Sequence, residues 1–378
     1  MTPAGLYIHV PFCERKCRYC DFYSVVAADR KQAFGTAVAT EIRRRRHLDL
    51  TLDSIYFGGG TPSLFSPAFY ARLLDGLDQA FRLQDDVEIT LEANPGTVDP
   101  AGLADYRRAG INRLNLGIQS FDDRHLSFLG RIHSGAQAQA AIRMARRAGF
   151  DNLGLDLIYG LPGQGIDDWR VDLRRALAHA PEHLSCYALT YEPGTPLTHD
   201  RQRGRHVPVG EDVLAVLFET TADFLSVEGF DHYEISNFAA IPQRRSRHNT
   251  KYWTLAPYLG FGPAAHSWLA PRRSWNVADL EAYIDKLDQG LLPEDGCENL
   301  DTSQQMTEAV FLGLRLAAGI DLTAFTRQFG TSLEACLGAV LPQLVADGFL
   351  RLTPERLTPT LKGMRFHDSI SAMLTGVL

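Results

Sequence analysis

The sequence has no long apolar run: no stretch of its 378 residues approaches the ~18 consecutive apolar side chains that a membrane-spanning helix needs. Residues 1–5 also lack the charged and then apolar regions with which a signal peptide begins. Low-complexity repeats are missing too, and 45% of the residues are hydrophobic, which is an ordinary value for a folded protein. We therefore expect a folded cytoplasmic protein.

An excess of positive charge is also missing. The chain has 38 Lys and Arg residues against 45 Asp and Glu residues, a formal net charge of −7. Non-specific binding of nucleic acid requires a positive field around the phosphates. The charge balance therefore predicts no nucleic-acid partner.

Cysteine is scarce and unevenly placed. Three of the six cysteines (Cys13, Cys17 and Cys20) lie within eight residues, whereas the other three are scattered singly. A disulfide framework would distribute paired cysteines through the chain. The cluster instead predicts a metal site in a reducing compartment.

The first two thirds of the chain alternate short apolar runs with longer helical patterns, which is typical of parallel β/α architecture. Six strands and a weaker seventh are fewer than the eight of a closed TIM barrel, so we predict an α/β fold with a partial, open TIM-type barrel. The predicted strands are residues 6–10, 54–57, 87–92, 113–119, 153–158 and 184–189, with the weaker one at 231–235. The predicted helices include residues 31–46, 67–81, 136–148 and 167–179.

Alternation along the predicted strands separates an apolar face from a polar face. If the apolar face packs under the helices, the interior of the barrel is polar and is expected to hold a polar ligand. The alternative is a sheet with one solvated face. The apolar set is Leu6, Ile8, Val10, Ile55, Phe57, Val87, Ile89, Leu91, Leu114, Leu116, Ile118, Leu153, Leu155 and Leu157; the polar set includes Tyr7, His9, Ser54, Tyr56, Glu88, Thr90, Glu92, Asn115, Gln119 and Asp156.

The pattern changes after residue 237, where aromatic residues, Pro and Gly begin to cluster. We predict two domains, 1–240 and 241–378, the second mostly helical. In its last part a predicted helix (332–347) is followed by a strand with a turn (349–357) and a second helix (362–374), which is the order of elements in a winged helix. From residue 300 onward the charges are balanced, so this part is expected to cover the barrel or contact a protein rather than DNA.

The cysteine cluster has the spacing C-x-x-x-C-x-x-C and follows the first predicted strand, at the face where β/α barrels carry their functional loops. Thiolates select iron-sulfur clusters or zinc. A structural zinc needs a fourth ligand, for which His9 is the nearest candidate. Three thiolates would instead leave one iron of a 4Fe-4S cluster open to an exchangeable ligand.

This motif at the end of a first barrel strand resembles the radical S-adenosylmethionine (SAM) superfamily. The resemblance covers almost the whole chain and implies a 4Fe-4S cluster held by Cys13, Cys17 and Cys20, with SAM on the open iron. The segment from Gly58 to Pro62 matches the family's glycine-rich stretch, which implies that Gly59, Gly60 and Thr61 approach SAM. Glycine suits that role because it lets a ligand come close to the backbone.

A second set of residues resembles the SAM-contacting positions of the coproporphyrinogen dehydrogenase (HemN) branch of that superfamily. Four of its six members already lie on the polar face of the predicted strands. The alternative is an internal hydrogen-bond network without a ligand. The set is Tyr7, Tyr19, Glu92, Gln119, Arg131 and Asp156.

Within that branch the dehydrogenases carry a further cysteine two residues after the third, where this chain has Phe22, and a longer N-terminal extension. The chain has instead His248-Asn-Thr-Lys-Tyr252-Trp253, which is similar to the H-N-x-x-Y-W motif of HemW haem chaperones. That resemblance implies haem contacts by His248, Tyr252 and Trp253, with an imidazole as axial ligand. The alternative is an oxygen-independent coproporphyrinogen III dehydrogenase or another radical SAM enzyme. Enzymatic activity therefore stays open, and no catalytic residue is assigned.

Two further features bear on haem. His266 is a second iron ligand, a pocket-lining group or a turn histidine, and Arg244, Arg245 and Arg247 either pair with haem propionates or form a solvated basic linker. The resemblance further implies delivery of haem to haem-requiring respiratory proteins, with transient docking at the membrane. The oligomeric state stays open, and an exposed cysteine loop would support a homodimer.

Overall fold

A twelve-stranded sheet dominates the computed structural model, which describes residues 2–378. A separate three-stranded sheet lies near the C-terminus. The strands are β1 Ala4–Val10, β2 Thr51–Gly59, β3 Arg82–Ala93, β4 Arg113–Gln119, β5 Leu153–Tyr159, β6 His183–Ala188, β7 Asp231–His232, β8 Asn237–Ala239, β9 Tyr258–Phe261, β10 His266–Leu269, β11 Arg272–Asn276, β12 Glu294–Asn299, β13 Ile320–Asp321, β14 Leu350–Leu352 and β15 Arg356–Pro359.

Helices connect the parallel strands and form most of the C-terminal part. They are α1 Lys31–Arg45, α2 Pro67–Ala80, α3 Pro100–Arg108, α4 Asp123–Leu129, α5 Gly135–Arg147, α6 Ile166–Leu177, α7 Pro196–Gln202, α8 Glu211–Val227, α9 Arg247–Trp253, α10 Leu280–Asp288, α11 Thr302–Gly313, α12 Leu322–Phe329, α13 Leu333–Leu337, α14 Val340–Ala346, α15 Leu361–Arg365 and α16 His367–Thr375.

Helix α5 illustrates how the sequence specifies these elements. Ser134 and Gln137 form a capping box, in which each side chain bonds the other residue's backbone N–H. Apolar side chains spaced three and four residues apart then place one stripe of the helix on the sheet. The buried members of this stripe are Ala138, Ala141, Ile142 and Ala145.

The open barrel is confirmed. Strands β1 to β6 pair in parallel in chain order, and all six predicted strands are present, most of them longer than predicted. The weaker seventh strand is present at its predicted start but is shorter than predicted: β7 covers only Asp231–His232 and pairs antiparallel with β8 at the sheet edge, so it is not a member of the parallel set. A seventh parallel strand is present at the opposite edge of this set, where β9 pairs in parallel with β1.

Burial of the strand faces agrees with the predicted alternation. Every member of the apolar set is buried beneath the helices. The opposite face is also withdrawn from solvent, since Ser54, Thr90 and Asn115 are at most 5% exposed. The sheet therefore has a buried polar interior and not a solvated face.

The C-terminal part contains a winged-helix-like arrangement of helices around β13, β14 and β15. Its apolar core is separate from the main one and runs from Val310 to Leu374. Two predicted helices are interrupted. The helix predicted at 332–347 breaks at Gly338, whose φ of 51° lies in the left-handed region that favours glycine, and the one at 362–374 breaks at Phe366.

The main sheet and its core continue past residue 240. Strand β9 pairs with β1, and Leu280, Tyr283 and Leu287 of α10 pack in the same core as the barrel. The domain division at 240/241 stays a prediction. The two apolar cores are divided near residue 300. Within residues 2–378, no helix is both long and apolar enough to cross a membrane.

Candidate functional site

The three clustered cysteines lie on the loop that leaves β1. Backbone bonds tie this loop to its surroundings: Cys13 N–H donates to Val25 O at 3.0 Å, and Arg18 N–H donates to Leu129 O at 3.2 Å. All three thiols are free and partly exposed. Burial raises the pKa of Cys20 to about 11, so this thiol is protonated at neutral pH until a metal displaces the proton.

The glycine-rich segment after β2 lies directly beside this loop. Gly60 N–H donates to Val10 O at 2.8 Å, and Thr61 N–H donates to Phe12 O at 2.7 Å. Gly59 has a φ of +109°, and a Cβ there would lie 2.5 Å from the His9 ring. The close approach of β1 therefore already requires glycine at this position, whether or not a ligand is present.

A cavity of about 640 Å³ opens at this end of the barrel and gathers most of the predicted site. Its volume lies within the range of about 300–1,000 Å³ that is usual for small-molecule sites. Sulfur, carboxylate, amide and guanidinium groups converge on it. The predicted residues that line it are Cys13, Cys17, Tyr19, Cys20, Gly59, Gly60, Thr61, Glu92, Gln119, Arg131 and Asp156.

Tyr7 is the one predicted SAM residue outside this lining. Its ring lies deeper in the barrel, and its hydroxyl lies 3.0 Å from His9 Nδ1. His9 Nε2 bonds Tyr23 O at 2.8 Å, so both ring nitrogens of His9 are engaged away from the thiols. Among residues 2–378, no three His, Cys, Asp or Glu side chains are grouped to hold a single metal ion. The engagement of both ring nitrogens of His9 speaks against the Cys₃His zinc alternative.

Two carboxylates give the cavity floor its electrostatic character. Burial, ahead of the nearby Asp156, raises the pKa of Glu92 to about 7, while hydrogen bonds from Tyr56 (2.7 Å) and Gly59 (3.3 Å) oppose that rise. Burial likewise raises the pKa of Asp156, whose carboxylate accepts a bond from Asn115 Nδ2 at 2.7 Å. A cationic or hydroxyl-bearing ligand would satisfy both groups.

Arg131 carries positive charge to the opposite wall. Its guanidinium donates to Gly117 O at 2.8 Å, to Asn94 Oδ1 and to Cys17 Sγ at 3.3 Å. Beside it, Gln119 adopts a φ of 67°, a strained conformation for a residue other than glycine. Such strain concentrates at functional sites. The chemistry of this donor set fits an iron-sulfur cluster with SAM beside it.

The sequence reasoning missed three residues of this region. Arg18 anchors the cysteine loop through an ion pair with Asp200, and Asn94 orients Arg131. Arg113 is 1% exposed and places a buried positive charge inside the barrel. Of the three, only Arg113 could have been found from the sequence, because alternation places it on the interior face of β4 together with Asn115 and Gln119.

His248 lies at the opposite end of the barrel from the cysteines. Its ring is fully buried near the start of β1 and stacks on Tyr56 at 5.3 Å. Nδ1 lies 3.2 Å from Ser54 Oγ, and Nε2 lies 2.8 Å from the Tyr252 hydroxyl. Burial, ahead of Lys251, lowers the pKa of His248 to about 3. Iron ligation by His248 stays a prediction, and in this arrangement it would require the ring to give up Ser54 or Tyr252 as a partner.

The other predicted haem residues are divided between two environments. Trp253 packs under the guanidinium of Arg315 at 4.3 Å. Tyr252 lines a second cavity of about 670 Å³, and His266 lies on the same cavity with its side chain exposed. The basic run pairs with aspartates: Arg244 with Asp151, Arg245 with Asp231, and Arg247 with Asp86.

Comparison with known proteins places these features in a family context. Residues 7–176 match the family model of the radical SAM superfamily, and residues 300–366 match that of the HemN C-terminal domain. The structure of coproporphyrinogen III oxidase (HemN) from Escherichia coli superposes with a TM-score of 0.86 at 22% identity, over 100% of this chain and 91% of that one. At this identity the likeness shows the fold.

Several proteins of known sequence have a higher identity to this chain than that structure does. The chain is 33% identical to the heme chaperone HemW of Bacillus subtilis (strain 168), over 98% of this chain and 99% of that protein. It is 37% identical to the heme chaperone HemW of Mycobacterium tuberculosis (strain H37Rv), over 99% and 95%. It is also 34% identical to mouse radical S-adenosyl methionine domain-containing protein 1, mitochondrial, over 98% and 86%.

Proposed function

This chain belongs to the HemW family of haem chaperones within the radical SAM superfamily, and from that premise we propose that it binds haem and delivers it to haem-requiring proteins. The observation that carries the proposal is the convergence of three cysteines and a polar SAM-type residue set on one cavity at the carboxyl ends of the barrel strands. The near full-length match to HemW proteins supports haem as the cargo.

Cys13, Cys17 and Cys20 are the residues that would hold a 4Fe-4S cluster. They lie on one loop, partly exposed, and line a cavity with room for a second ligand. When bound, a reduced cluster supplies an electron to SAM. The protein's part is to hold the cysteine loop and to place the glycine-rich segment beside it, while binding of the metal displaces the thiol protons.

The polar lining would hold SAM, with each end of the ligand facing complementary charge. Arg131 presents N–H groups that suit a carboxylate. Glu92 and Asp156 present oxygens that suit an ammonium or hydroxyl groups. Tyr19, Gln119, Gly59, Gly60 and Thr61 line the wall. Tyr7 lies outside the lining, with its ring centroid 6.2 Å from that of Tyr56, which donates to Glu92.

The alternative function, coproporphyrinogen III dehydrogenase, is less well supported. Phe22 stands where those enzymes carry a further cysteine, and its side chain is 66% exposed at the cavity mouth. An assay of the reconstituted protein for formation of protoporphyrinogen separates the two functions. Appreciable turnover would contradict a pure carrier function.

Anaerobic reconstitution with iron and sulfide, followed by a haem titration monitored at the Soret band, tests the proposal. We expect one haem per chain in the wild type. Replacing all three cysteines with Ser should abolish the cluster absorbance while haem binding persists, and His248→Ala should weaken haem binding while the cluster absorbance persists. A cluster signal without any haem binding would contradict the chaperone function and favour a radical SAM enzyme with another substrate.

Respiratory haem proteins are the proposed recipients, with the chaperone acting from the cytoplasm and docking only transiently at the membrane. We also propose that two copies of the chain form a homodimer. Co-purification of a haem-depleted respiratory complex with the haem-loaded chain, and the elution volume of the reconstituted protein on size exclusion, test these two statements separately.

A further inference from the structure

The second cavity has the volume and the aromatic lining that a flat aromatic ligand would need. Its volume is about 670 Å³, and it lies between the strands β9–β11 and helix α11. Five of the eleven residues that line it are aromatic, and apolar ring faces of this kind bury a planar macrocycle well. The aromatic members are Tyr252, Tyr258, Trp268, Trp275 and Phe311.

We propose that haem is seated in this cavity with His266 as the axial ligand of its iron, an inference that rests on the proposed function. His266 is the first residue of β10, and its exposed ring lies on the cavity. The ring centroid is 6.0 Å from that of Trp275, so the imidazole stands beside the aromatic wall. An imidazole is a usual axial ligand of haem iron.

His248 differs from His266 in the feature that ligation requires. Its side chain is 0% exposed, and both ring nitrogens face groups of the protein, Ser54 Oγ and the Tyr252 hydroxyl. No iron could reach either nitrogen without displacing one of these partners. His266 offers its ring to the cavity with no such rearrangement.

The H-N-x-x-Y-W motif is still connected with haem in this arrangement, through Tyr252. Its hydroxyl bonds His248 inside the barrel, while its ring packs edge-on against Tyr258 at 4.7 Å and lines the cavity. His248 is therefore a positioning residue that fixes one wall of the haem cavity. Loss of His248 would weaken haem binding without removing an iron ligand.

The cavity rim supplies charge for the polar edge of haem. The guanidinium of Arg273 lies 5.8 Å from the Trp268 ring and is paired with Glu298 at 3.3 Å and with Glu308. Its side chain is 28% exposed, which leaves it accessible to a propionate at the mouth. A propionate would have to compete with these two glutamates for Arg273, and Glu298, 48% exposed, is the more accessible of the two.

The test compares haem titrations of four full-length reconstituted proteins: wild type, His266→Ala, His248→Ala and the exposed control His47→Ala. We expect His266→Ala to bind haem at least tenfold more weakly with a displaced Soret band, and added free imidazole to restore the wild-type band. In His248→Ala the affinity should fall but imidazole should not change the band. His47→Ala should match the wild type.

Two results would overturn the inference. Wild-type affinity and Soret position in His266→Ala would exclude His266 as the ligand, as would imidazole rescue of His248→Ala instead. Both would leave the proposed function standing, because the wild type still binds haem. Absence of haem binding in the wild type would contradict the proposed function itself. Should His248→Ala fail to fold, the comparison of His266→Ala with His47→Ala decides alone.

Discussion

Arg131 Nη1 lies 3.3 Å from Cys17 Sγ, although the two residues are 114 positions apart in the sequence. This contact places the guanidinium between the cysteine loop and the polar floor of the first cavity. Further bonds to Asn94 and Gly117 fix its orientation. Arg131 therefore links the proposed cluster site to the proposed SAM site.

Replacement of this arginine should separate SAM binding from cluster binding. In Arg131→Met we expect SAM to bind at least tenfold more weakly, because a bidentate partner for a carboxylate is lost, while the cluster absorbance stays near the wild-type value. Equilibrium dialysis of SAM against reconstituted protein measures this. Arg15→Met, which removes an exposed arginine from the same cavity, is the matched control. Unchanged SAM affinity in Arg131→Met would contradict the assignment.

A second prediction concerns the anchor of the cysteine loop. Arg18 pairs with Asp200 and donates to Phe128 O at 3.1 Å, while Leu197 N–H donates to Arg18 O at 2.9 Å. The pair is partly exposed, so its loss should cost only about 1 kcal/mol of folding free energy. The loop carrying the thiols should nevertheless become mobile.

We therefore expect Arg18→Met to lose much of its cluster during gel filtration after reconstitution while its unfolding temperature changes by only a few degrees. Lys16→Met, an exposed change on the same loop, should keep its iron. Iron and sulfide content per chain is the measurement. Equal retention by both variants would show that the loop does not need this anchor.

The strands could be predicted because alternation of side chains directly reports which face is buried. That is why Arg113–Gln119 was predicted with both ends correct, and why the interior position of Glu92 and Asp156 could be predicted. Strands β9 to β11 could not be predicted, because they are short and their pairing with β1 and with one another depends on distant contacts.

The environment of His248 illustrates a different limit. The motif predicts a functional histidine, but its orientation is decided by Ser54, 194 residues away, and by the carboxylate of Glu88, which accepts the backbone N–H of His248 at 3.2 Å. No local pattern encodes these contacts. The same holds for Arg18 and Asp200, which are 182 residues apart.

The raised pKa of Glu92 predicts a pH-dependent stability of the cluster-free protein. The folded-state pKa of about 7 exceeds the ordinary value of 4.5. Below pH 4.5 the carboxyl is protonated in both states and imposes no penalty. As the pH rises to 7, only the unfolded state releases the proton, so the free energy of unfolding falls and then levels off above pH 7.

In Glu92→Gln this decrease in the free energy of unfolding should be absent, because the amide cannot ionise and still accepts the bond from Tyr56. At about 1.36 kcal/mol per pKa unit, the variant should gain up to about 3 kcal/mol over the wild type at pH 8 and little at pH 4. Denaturant unfolding at several pH values measures the difference. Glu228→Gln, an exposed change, should show no such dependence. Parallel stability curves for wild type and Glu92→Gln would contradict the prediction.

The bond between Tyr252 and His248 allows the hydroxyl and the ring of Tyr252 to be tested separately. Tyr252→Phe removes a buried hydroxyl that lies 2.8 Å from His248 Nε2 and leaves that nitrogen without its partner. The unsatisfied polar group should cost about 1–3 kcal/mol of folding free energy. Haem affinity should also fall, but by less than in Tyr252→Ala, because the bond that holds Tyr252 in place is lost while its ring stays in the cavity wall.

Tyr252→Ala removes the ring as well and should weaken haem binding several-fold while the cluster absorbance is retained. Tyr258→Phe serves as the control, since it keeps a second ring of the same wall and alters a hydroxyl that is not bonded to His248. Denaturant unfolding and Soret titration of the three variants give the two readouts. If Tyr252→Ala bound haem as tightly as the wild type, the aromatic cavity would not be the haem site, whereas a large loss in Tyr252→Phe alone would assign the effect to the hydroxyl and hence to the position of His248.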